Sequence, residues 1–275
     1  MNNQKLISII TVSYNDPNGL SQTLESLRPL LESNLPWEHI IVDSSPAQHE
    51  AVLNADKSLW PRVYLSEPPS GIYSAMNHGW RNARGLTLLF LNSGDRLISA
   101  EALKKTMTEF EQDLNLDIFL GGVELTRNDE SLYNQFHHSS FLKNILGANH
   151  ICHQAAIYRR SSFEKIGDFS KSYKLASDYE HHFRCYLGGL NLKVSPSTLL
   201  VKFDVSGQSS HYRQVLNEYR EIHRAVAAQL PHHLNILNYI LLKIETARLA
   251  AVKKASSSRF SETLRPLWLL WKRSK

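Results

Sequence analysis

The sequence predicts an α/β fold whose first half is a doubly wound parallel sheet. Short apolar, β-branched runs alternate with stretches of helical periodicity, and each apolar run ends on polar residues. The length of 275 residues suffices for one large domain with an extension. A hydrophobic fraction of 42% and a charged fraction of 21% indicate a globular chain.

The N-terminal part of the chain alternates strand and helix. Residues 6–12 (LISIITV) and 37–42 (WEHIIV) are typical of buried strands, and leucines at helical spacing lie between them. A weaker strand at 63–65, a helix over 72–83 and a strong strand at 86–91 (LTLLFL) follow. Strand, helix and strand in this order predict right-handed parallel crossovers, and therefore a doubly wound sheet.

From about residue 100, helices and strands no longer alternate regularly in the predicted pattern. A helix to about residue 114 and a strand at 117–122 precede a polar segment that extends to about residue 146. A second block then has a strand at 155–158, a helix that starts near residue 161, a helix at 178–187 and a strand at 193–203. Beyond Tyr212 the pattern is helical to the end, so we expect one domain over residues 1–212 and a C-terminal helical extension over 213–275.

Cysteine usage and the apolar runs bear on location. Cys152 and Cys185 are too few for a disulfide framework, and the N-terminal residues lack the features of a signal peptide. The strongest apolar runs, such as 86–91 and 267–271, are far shorter than the roughly 20 residues needed to span a bilayer. The sequence therefore predicts a cytoplasmic protein whose membrane contact is at most peripheral.

The formal charge of +5 is concentrated in the C-terminal extension. Residues 251–275 combine Lys and Arg with several Leu and two Trp, a composition that suits the headgroup layer of an anionic membrane. A packed terminal helix with solvated charges is the alternative. Because this excess lies beside Trp and Leu and no recognition motif occurs, nucleic acid is not expected as a partner, despite the pI of about 9.1.

Polar residues follow three of the predicted strands: Ser13-Tyr14-Asn15, Asp43-Ser44-Ser45 and Asn92-Ser93-Gly94-Asp95. In open parallel sheets, ligands bind beyond the carboxyl ends of the strands, where such groups meet the base, ribose and diphosphate of a nucleotide. The same residue types are also common in ordinary turns. The last group follows the most apolar strand, which would place a carboxylate beside a glycine that lets a phosphate approach.

Two phosphate-binding motifs are absent from the sequence. No G-x-G-x-x-G follows Val12, and no G-x-x-x-x-G-K-[ST] occurs anywhere. A nucleotide bound here would depend on a metal ion and on side chains. The loop from Ser13 to Pro17 also lacks the Gly-rich, basic phosphate loop expected of a sugar-phosphate nucleotidyltransferase, which is a rival interpretation.

Asp178 opens a predicted helix and has two interpretations. It is either an ordinary helix cap or a general base that takes a proton from an acceptor hydroxyl. Nearby histidines and cysteines lack the paired spacing of a structural zinc site, so we interpret them as core or surface residues. This group consists of His150, Cys152, His153, His181, His182 and Cys185.

Several motifs together closely resemble family 2 glycosyltransferases of bacterial surface-polysaccharide assembly, which have the GT-A fold. These motifs are SIITVSYN, HIIVDSS, EPPSGIYSAMNHGWRNARG, LLFLNSGDRL, HQAAIYRRSSFEKIGDFSKSYKLASDYEHHFR and FDVSGQSSH. They cover roughly residues 5–212, and the colanic acid and O-antigen transferases look most similar. The resemblance implies a donor half of about 1–100, a mixed acceptor half of about 101–212, and a C-terminal helical tail.

The resemblance also implies site residues. Asp178 matches the catalytic base, and Asp95 lies in the metal-binding D-x-D region, where Mg²⁺ or Mn²⁺ is expected. The matched donor-binding residues are Thr11, Tyr14, Asn15, Asp43, Gly71, Ile72, Asn77, Asn92, Ser93, Gly94, His153 and Gln154. Ala75 and Gly79 match the same donor-lining helix.

Two motifs depart from the family pattern. After the second strand, the segment from Asp43 to Ala47 keeps only the first acid of the family's Asp-Gly-Gly-Ser-x-Asp-Gly. The segment from Asn92 to Asp95 has one carboxylate where Asp-Ser-Asp-Asp would have three. Fewer acids near a diphosphate could weaken metal binding or shift coordination to water, since Mg²⁺ commonly keeps several waters.

The implied activity is inverting transfer of a sugar from a UDP-, GDP- or dTDP-linked donor to a hydroxyl. The acceptor would be a glycan or an undecaprenyl-diphosphate-linked oligosaccharide of lipopolysaccharide or exopolysaccharide biosynthesis. The implied location is the cytoplasm, with peripheral contact at the inner face of the membrane through the C-terminal tail. A non-catalytic relative that binds a nucleotide sugar or a glycan is the alternative, because the acidic motifs are thinned.

Overall fold

The computed structural model of the protein describes residues 6–46, 62–136, 151–204, 212–227 and 229. The strands are β1 (Ile7–Ser13), β2 (Trp37–Asp43), β3 (Arg62–Ser66), β4 (Thr87–Phe90), β5 (Arg96–Leu97), β6 (Ile118–Arg127), β7 (Glu130–Gln135), β8 (Ala156–Arg159) and β9 (Leu192–Asp204). The helices are α1 (Pro17–Leu27), α2 (Ile72–Arg81), α3 (Ala100–Gln112), α4 (Arg160–Ile166), α5 (Ser177–Leu187) and α6 (Tyr212–Ala227). Short 3₁₀ turns lie at Arg28–Glu32 and His153–Ala155.

The described strands form one sheet in the order β3-β2-β1-β4-β8-β6-β9-β5, with β7 beside β6. Strands β1, β2, β3 and β4 run parallel to one another, whereas β8 is antiparallel to both β4 and β6. The chain runs outward from β1 to β3 and then returns to the other side of β1 as β4. Such a reversal of strand order creates a crevice at the carboxyl ends of the two central strands. The predicted α/β class and doubly wound parallel sheet are confirmed.

Burial on both faces explains why β1 and β2 were predicted from continuous apolar runs in the sequence. Every residue of β1 and β2 is buried, because helices cover both faces of a parallel sheet. Helix α2 packs closely on β1: a Cβ added at Gly79 would lie 2.4 Å from Ile10 Cγ2. Strand pairing then sets the level of the site, since Ser13 pairs with Asp43, and Asp43 pairs with Ser66.

Two of the described strands, β5 and β7, were not indicated by the sequence pattern. β6 continues to Arg127 and turns at Asn128 and Asp129, whose φ angles are 50° and 68°, into β7. Positive φ at both central residues is the requirement of a tight hairpin turn, and Asn and Asp tolerate it. β7 falls in the segment expected to be polar and irregular, because only its pairing with β6 makes it a strand. The two-residue β5 pairs with β9.

The chain divides into two compact units. The first comprises Met1–Lys143 and His150–Glu218, and the second comprises Asn144–Asn149 and Tyr219–Lys275. The domain boundary expected after residue 212 stays a prediction. The predicted apolar stripe and basic tail beyond residue 229 lie outside the described residues. Within the described ranges, no helix is long and apolar enough to cross a membrane.

Candidate active site

The turn from Asn92 to Asp95 follows β4 at the predicted crevice. The Asp95 N–H donates to the Asn92 carbonyl at 2.9 Å, and Gly94 has a φ of 94°. A positive φ at the third residue of such a turn strongly favours glycine. The Asp95 carboxylate folds back and accepts a hydrogen bond from the Asn92 N–H at 2.8 Å. The turn is therefore closed by its own acidic residue.

Helix α1 holds this turn in place. The Ser93 hydroxyl donates to Asp16 Oδ2 at 2.9 Å, and Asp16 also caps α1 by accepting from the Gly19 N–H. The Thr23 hydroxyl donates to the Asp95 carbonyl at 2.8 Å and accepts from the Gly94 N–H at 3.0 Å. Ser93 and Gly94 thus lie at the crevice on a rigidly anchored turn.

Asp95 points into the protein, because its side chain closes the turn and the residue is only 3% exposed. Burial raises the pKa of its carboxyl to about 7, against the opposing effects of the His153 charge and of hydrogen bonds from Asn92 and Gln154. Gln154, which is also buried, accepts in turn from the Cys152 thiol at 2.9 Å. Through the hydrogen bond from Gln154, two of the predicted site residues, Asp95 and Gln154, are in direct contact.

Asp178 lies in the first turn of α5, with both carboxylate oxygens hydrogen-bonded. The Tyr73 hydroxyl donates to Oδ1 at 2.8 Å, and His153 Nδ1 lies 3.0 Å from Oδ2. Burial alone would raise the pKa of Asp178, but the His153 hydrogen bond and charge, the His182 charge and the Tyr73 hydrogen bond hold it below its usual range. The carboxylate is therefore ionised at neutral pH, as a proton acceptor must be.

His153 connects Asp178 to the Asn92–Asp95 turn. Its Nε2 lies 3.3 Å from Asn92 Nδ2, on the opposite side of the ring from Asp178. Nδ1–H faces the Asp178 carboxylate as a donor, and Nε2 faces the Asn92 amide on the other side of the ring. Asp178, His153 and Asn92 thus form one hydrogen-bonded chain that spans the crevice side of the sheet.

Asp43 organises the ends of three strands. Its Oδ1 accepts from the backbone N–H and the hydroxyl of Ser45, at 3.0 and 2.6 Å, and its Oδ2 accepts from the Tyr64 hydroxyl at 2.8 Å. The Ser45 hydroxyl accepts from the Asn15 N–H at 2.8 Å. Because Asp43 is 1% exposed, its observed role is internal, and contact with a base or ribose stays a prediction.

Other predicted donor residues differ in exposure. Tyr14 is 54% exposed and precedes Asn15, whose φ of 52° turns the chain away from β1. Gly71 is exposed with a φ of 97°, a conformation that favours glycine, and it leads into α2 at the partly exposed Ile72. Thr11 is fully buried inside the sheet and its hydroxyl lies 2.9 Å from His39 Nε2. A direct donor contact of Thr11 stays a prediction.

Asn77 is fully buried and anchors the loop that leads to α5. Its Nδ2 donates to the Phe169 carbonyl at 2.8 Å, and its Oδ1 accepts from the Phe169 N–H at 2.9 Å. Tyr73 lies one helical turn earlier on the same face of α2 and bonds Asp178. Tyr73 was missed in the sequence, although its spacing of four residues from Asn77 would have placed both on one face.

The Asn92–Asp95 turn is the candidate site for a divalent metal ion. Among the described residues, no group of three or more His, Cys, Asp or Glu is arranged to hold a metal ion. The turn has two hard oxygen groups: the Asp95 carboxylate, which faces inward and closes the turn, and Asn92 Oδ1, a buried acceptor with no hydrogen-bond partner in the described part of the chain. Because Mg²⁺ keeps several waters and needs one or two carboxylates, these oxygens fit an ion bound mainly through diphosphate and water.

The family model of glycosyl transferase family 2 matches residues 8–167, which is more than half of the chain. An uncharacterised glycosyltransferase of Mycobacterium tuberculosis is 27% identical over 218 residues, which cover 77% of this chain and 79% of the relative. A PGL/p-HBAD biosynthesis glycosyltransferase of Mycobacterium bovis is 32% identical over 116 residues, or 42% of this chain and 44% of that one.

Solved structures show the same fold at low sequence identity. S. aureus TarS 1-349 in complex with UDP aligns with a TM-score of 0.68 and 19% identity, covering 95% of this chain and 77% of that fragment. The mannosyltransferase PcManGT from Pyrobaculum calidifontis, in complex with GDP-Man and Mn²⁺, aligns with a TM-score of 0.60 and 16% identity, covering 96% and 79%. The predicted GT-A fold is confirmed.

Proposed function

The chain belongs to glycosyl transferase family 2, and we propose that this enzyme transfers a sugar, with inversion, from a nucleotide-sugar donor to a hydroxyl. The observation that carries the proposal is the hydrogen-bonded chain from Asp178 through His153 to Asn92. It joins an ionised carboxylate to the turn at the switch point of the sheet, where nucleotides bind in folds of this type. Base and donor site would then act on the same sugar carbon.

A nucleotide-sugar donor is supported by fold and by residue chemistry. TarS was solved with UDP-GlcNAc and PcManGT with GDP-Man, at the low identities given above. In this chain the exposed Tyr14 ring lies after β1, where it would stack on a base, and Gly94 leaves open space for a phosphate. We propose a UDP-, GDP- or dTDP-linked sugar as the donor.

The proposed reaction is a single displacement. Asp178 takes the proton of the acceptor hydroxyl while that oxygen bonds to the anomeric carbon. The bond from that carbon to the donor phosphate oxygen breaks with its electron pair, and the nucleoside diphosphate leaves. Tyr73 and His153 hold the two oxygens of Asp178, so little reorientation is needed during proton transfer. Attack from the face opposite the leaving group inverts the configuration.

A divalent cation is proposed as cofactor. Asp95 and Asn92 would hold Mg²⁺ or Mn²⁺ together with the donor diphosphate, and the ion would neutralise negative charge on the leaving phosphate. The single carboxylate of the turn, with a pKa raised to about 7 by burial, predicts a weaker site than a turn with several exposed acids would give. Its hydrogen bond from the Asn92 N–H would close the turn whether or not a metal ion is bound.

The proposed acceptor is a glycan or an undecaprenyl-diphosphate-linked oligosaccharide of bacterial surface-polysaccharide biosynthesis. The M. bovis relative is named as a glycosyltransferase of PGL/p-HBAD biosynthesis, which supports a biosynthetic role in glycan addition. The basic, Leu- and Trp-containing residues 251–275 support peripheral contact with an anionic membrane, where a lipid-linked acceptor would reside. We propose action at the cytoplasmic face.

A donor panel tests the proposal. The purified full chain would be incubated with UDP-, GDP- and dTDP-sugars, Mg²⁺ or Mn²⁺, and short-chain prenyl-diphosphate-linked sugars, and released nucleoside diphosphate would be measured. The expected result is release from one nucleotide class that is faster with acceptor than without it. Release from none of the donors, with any acceptor and either metal, would overturn the proposed function.

A further inference from the structure

Glu218, on α6, binds the loop that leads to Asp178. Its Oε2 accepts from the Leu175 and Ala176 N–H groups at 2.9 and 3.0 Å, and its Oε1 accepts from the Lys174 N–H at 3.2 Å. The Gln214 side chain donates to the same Oε1 at 3.3 Å. Glu218 is only 8% exposed. This buried carboxylate therefore binds the backbone of a segment, Lys174–Ala176, that lies more than 40 residues earlier in the sequence.

The three bound amides lie just before α5 and at its N-cap, Ala176, and each needs an acceptor. Lys174 and Leu175 precede the helix, and the N-cap N–H has no carbonyl partner within it. Successive backbone N–H groups form a concavity that favours an anion, and hydrogen bonds to a carboxylate are stronger than neutral ones. Glu218 therefore supplies the acceptor for the segment that enters α5.

The loop is anchored at both ends. At its beginning, Asn77 binds the backbone of Phe169, and Arg184 donates to the carbonyls of Ile166 and Asp168. At its end, Glu218 binds Lys174 through Ala176. Asp178 follows Ala176 by two residues, so the Glu218 contact fixes the backbone from which the Asp178 carboxylate projects.

We propose that Glu218 is a positioning residue, which orients Asp178 towards Tyr73 and His153 by fixing the segment Lys174–Ala176. This role rests on the proposed function, in which Asp178 is the base. Loss of the contact should leave the donor crevice unchanged, because the bonds of Glu218 go to the loop and to Gln214, not to the Asn92–Asp95 turn. The effect is therefore expected in kcat and not in the KM for the donor.

The test uses Glu218→Gln in the full chain, with Glu164→Gln as the matched control. The amide of the new side chain would face the Lys174 N–H with a donor instead of an acceptor. Glu164 lies on α4 with a side chain that is 55% exposed, so the control removes the same charge from the surface. Amide hydrogen exchange would be measured over residues 170–180, and kcat and donor KM with the donor found in the panel.

For Glu218→Gln we expect amide exchange over Lys174–Ala176 to be at least about 10-fold faster, and kcat to fall on the order of 10-fold to 100-fold at an unchanged donor KM. The control should match the parent protein in both. Unchanged exchange, or faster exchange with unchanged kcat, would overturn the role. The exchange measurement requires no sugar donor. It therefore shows whether Glu218 holds the segment Lys174–Ala176 even if the proposed function is wrong. Gln214→Ala, which removes one of four hydrogen bonds, should show the same pattern at smaller size and replaces Glu218→Gln if that variant does not fold.

Discussion

His153 Nδ1 lies 3.0 Å from Asp178 Oδ2, in a pair whose members come from different parts of the fold. His153 begins the 3₁₀ turn before β8, whereas Asp178 lies in the first turn of α5. Because the other ring nitrogen of His153 contacts Asn92, the imidazole bridges the proposed base and the turn after β4. Asp178 and the Asn92–Asp95 turn are therefore linked through the His153 side chain, and changes at His153 should affect both.

His153→Gln should alter the pH dependence of transfer. Burial raises the pKa of Asp178, whereas the hydrogen bond and charge of His153 lower it, so removal of the imidazole should raise it. Less of the base is then ionised in acid, and kcat/KM should fall more at about pH 5 than at about pH 8, with a loss of roughly 10-fold to 100-fold overall. The measurement is a pH profile of kcat/KM. His78→Gln is the control, and a His153→Gln profile of parental shape would refute the electrostatic role.

Asp95→Ala should weaken metal-dependent donor binding. The substitution removes the one carboxylate of the turn and the acceptor of the Asn92 N–H, so we expect donor affinity in Mn²⁺ to fall about 10-fold or more. Titration calorimetry with and without Mn²⁺ measures this directly. Glu101→Ala, an exposed change on α3, is the control. If Mn²⁺ increased the donor affinity equally in the variant and the parent, Asp95 would serve only to close the turn.

Asn77→Leu should destabilise the protein. Leucine is of similar size but leaves the Phe169 N–H and carbonyl without partners in a buried setting. Each unpaired group costs about 1–3 kcal/mol, so the free energy of unfolding should fall by roughly 2–6 kcal/mol in urea denaturation. The exposed Asn82→Ala should change it by no more than about 0.5 kcal/mol. Similar values for the two variants would exclude an anchoring role for Asn77.

Deletion of residues 260–275 should weaken binding to anionic vesicles. The segment carries four basic residues, Arg265, Lys272, Arg273 and Lys275, among Leu and Trp. Each basic residue near an anionic surface contributes about 1 kcal/mol, so an affinity loss of about 10-fold or more is expected in sedimentation with phosphatidylglycerol vesicles. Neutral phosphatidylcholine vesicles provide the control. Unchanged binding of the shortened chain would contradict membrane contact through this tail.

The strands and turns of the donor half were predictable, because their signals are local. A strand buried on both faces, such as Ile7–Ser13, is apolar throughout most of its length, and polar residues must follow where it ends at the edge of the sheet. The turn at Asn92–Asp95 was found in this way. Its internal geometry was not: the sequence suggested a carboxylate facing the crevice, whereas Asp95 folds inward to close the turn.

The remaining contacts of the site depend on pairs that are distant in sequence. Tyr73 and Asp178 are 105 residues apart, and Glu218 binds a loop more than 40 residues before it. Neither pair has a local pattern, because each contact follows from how α2, α5 and α6 pack. β7 was missed for the same reason, since its alternation is weak and its pairing with β6 defines it.

Asp178→Asn provides the most direct test of Asp178 as the base of a nucleotide-sugar transferase. The variant keeps the shape of the side chain and removes its ability to accept a proton, and general base catalysis contributes about 10²–10⁴-fold to rate. Transfer, followed by mass spectrometry of the glycosylated acceptor, should fall by at least about 100-fold, while the donor affinity in Mn²⁺ changes by less than about threefold. Transfer at the parental rate by Asp178→Asn would contradict the assignment.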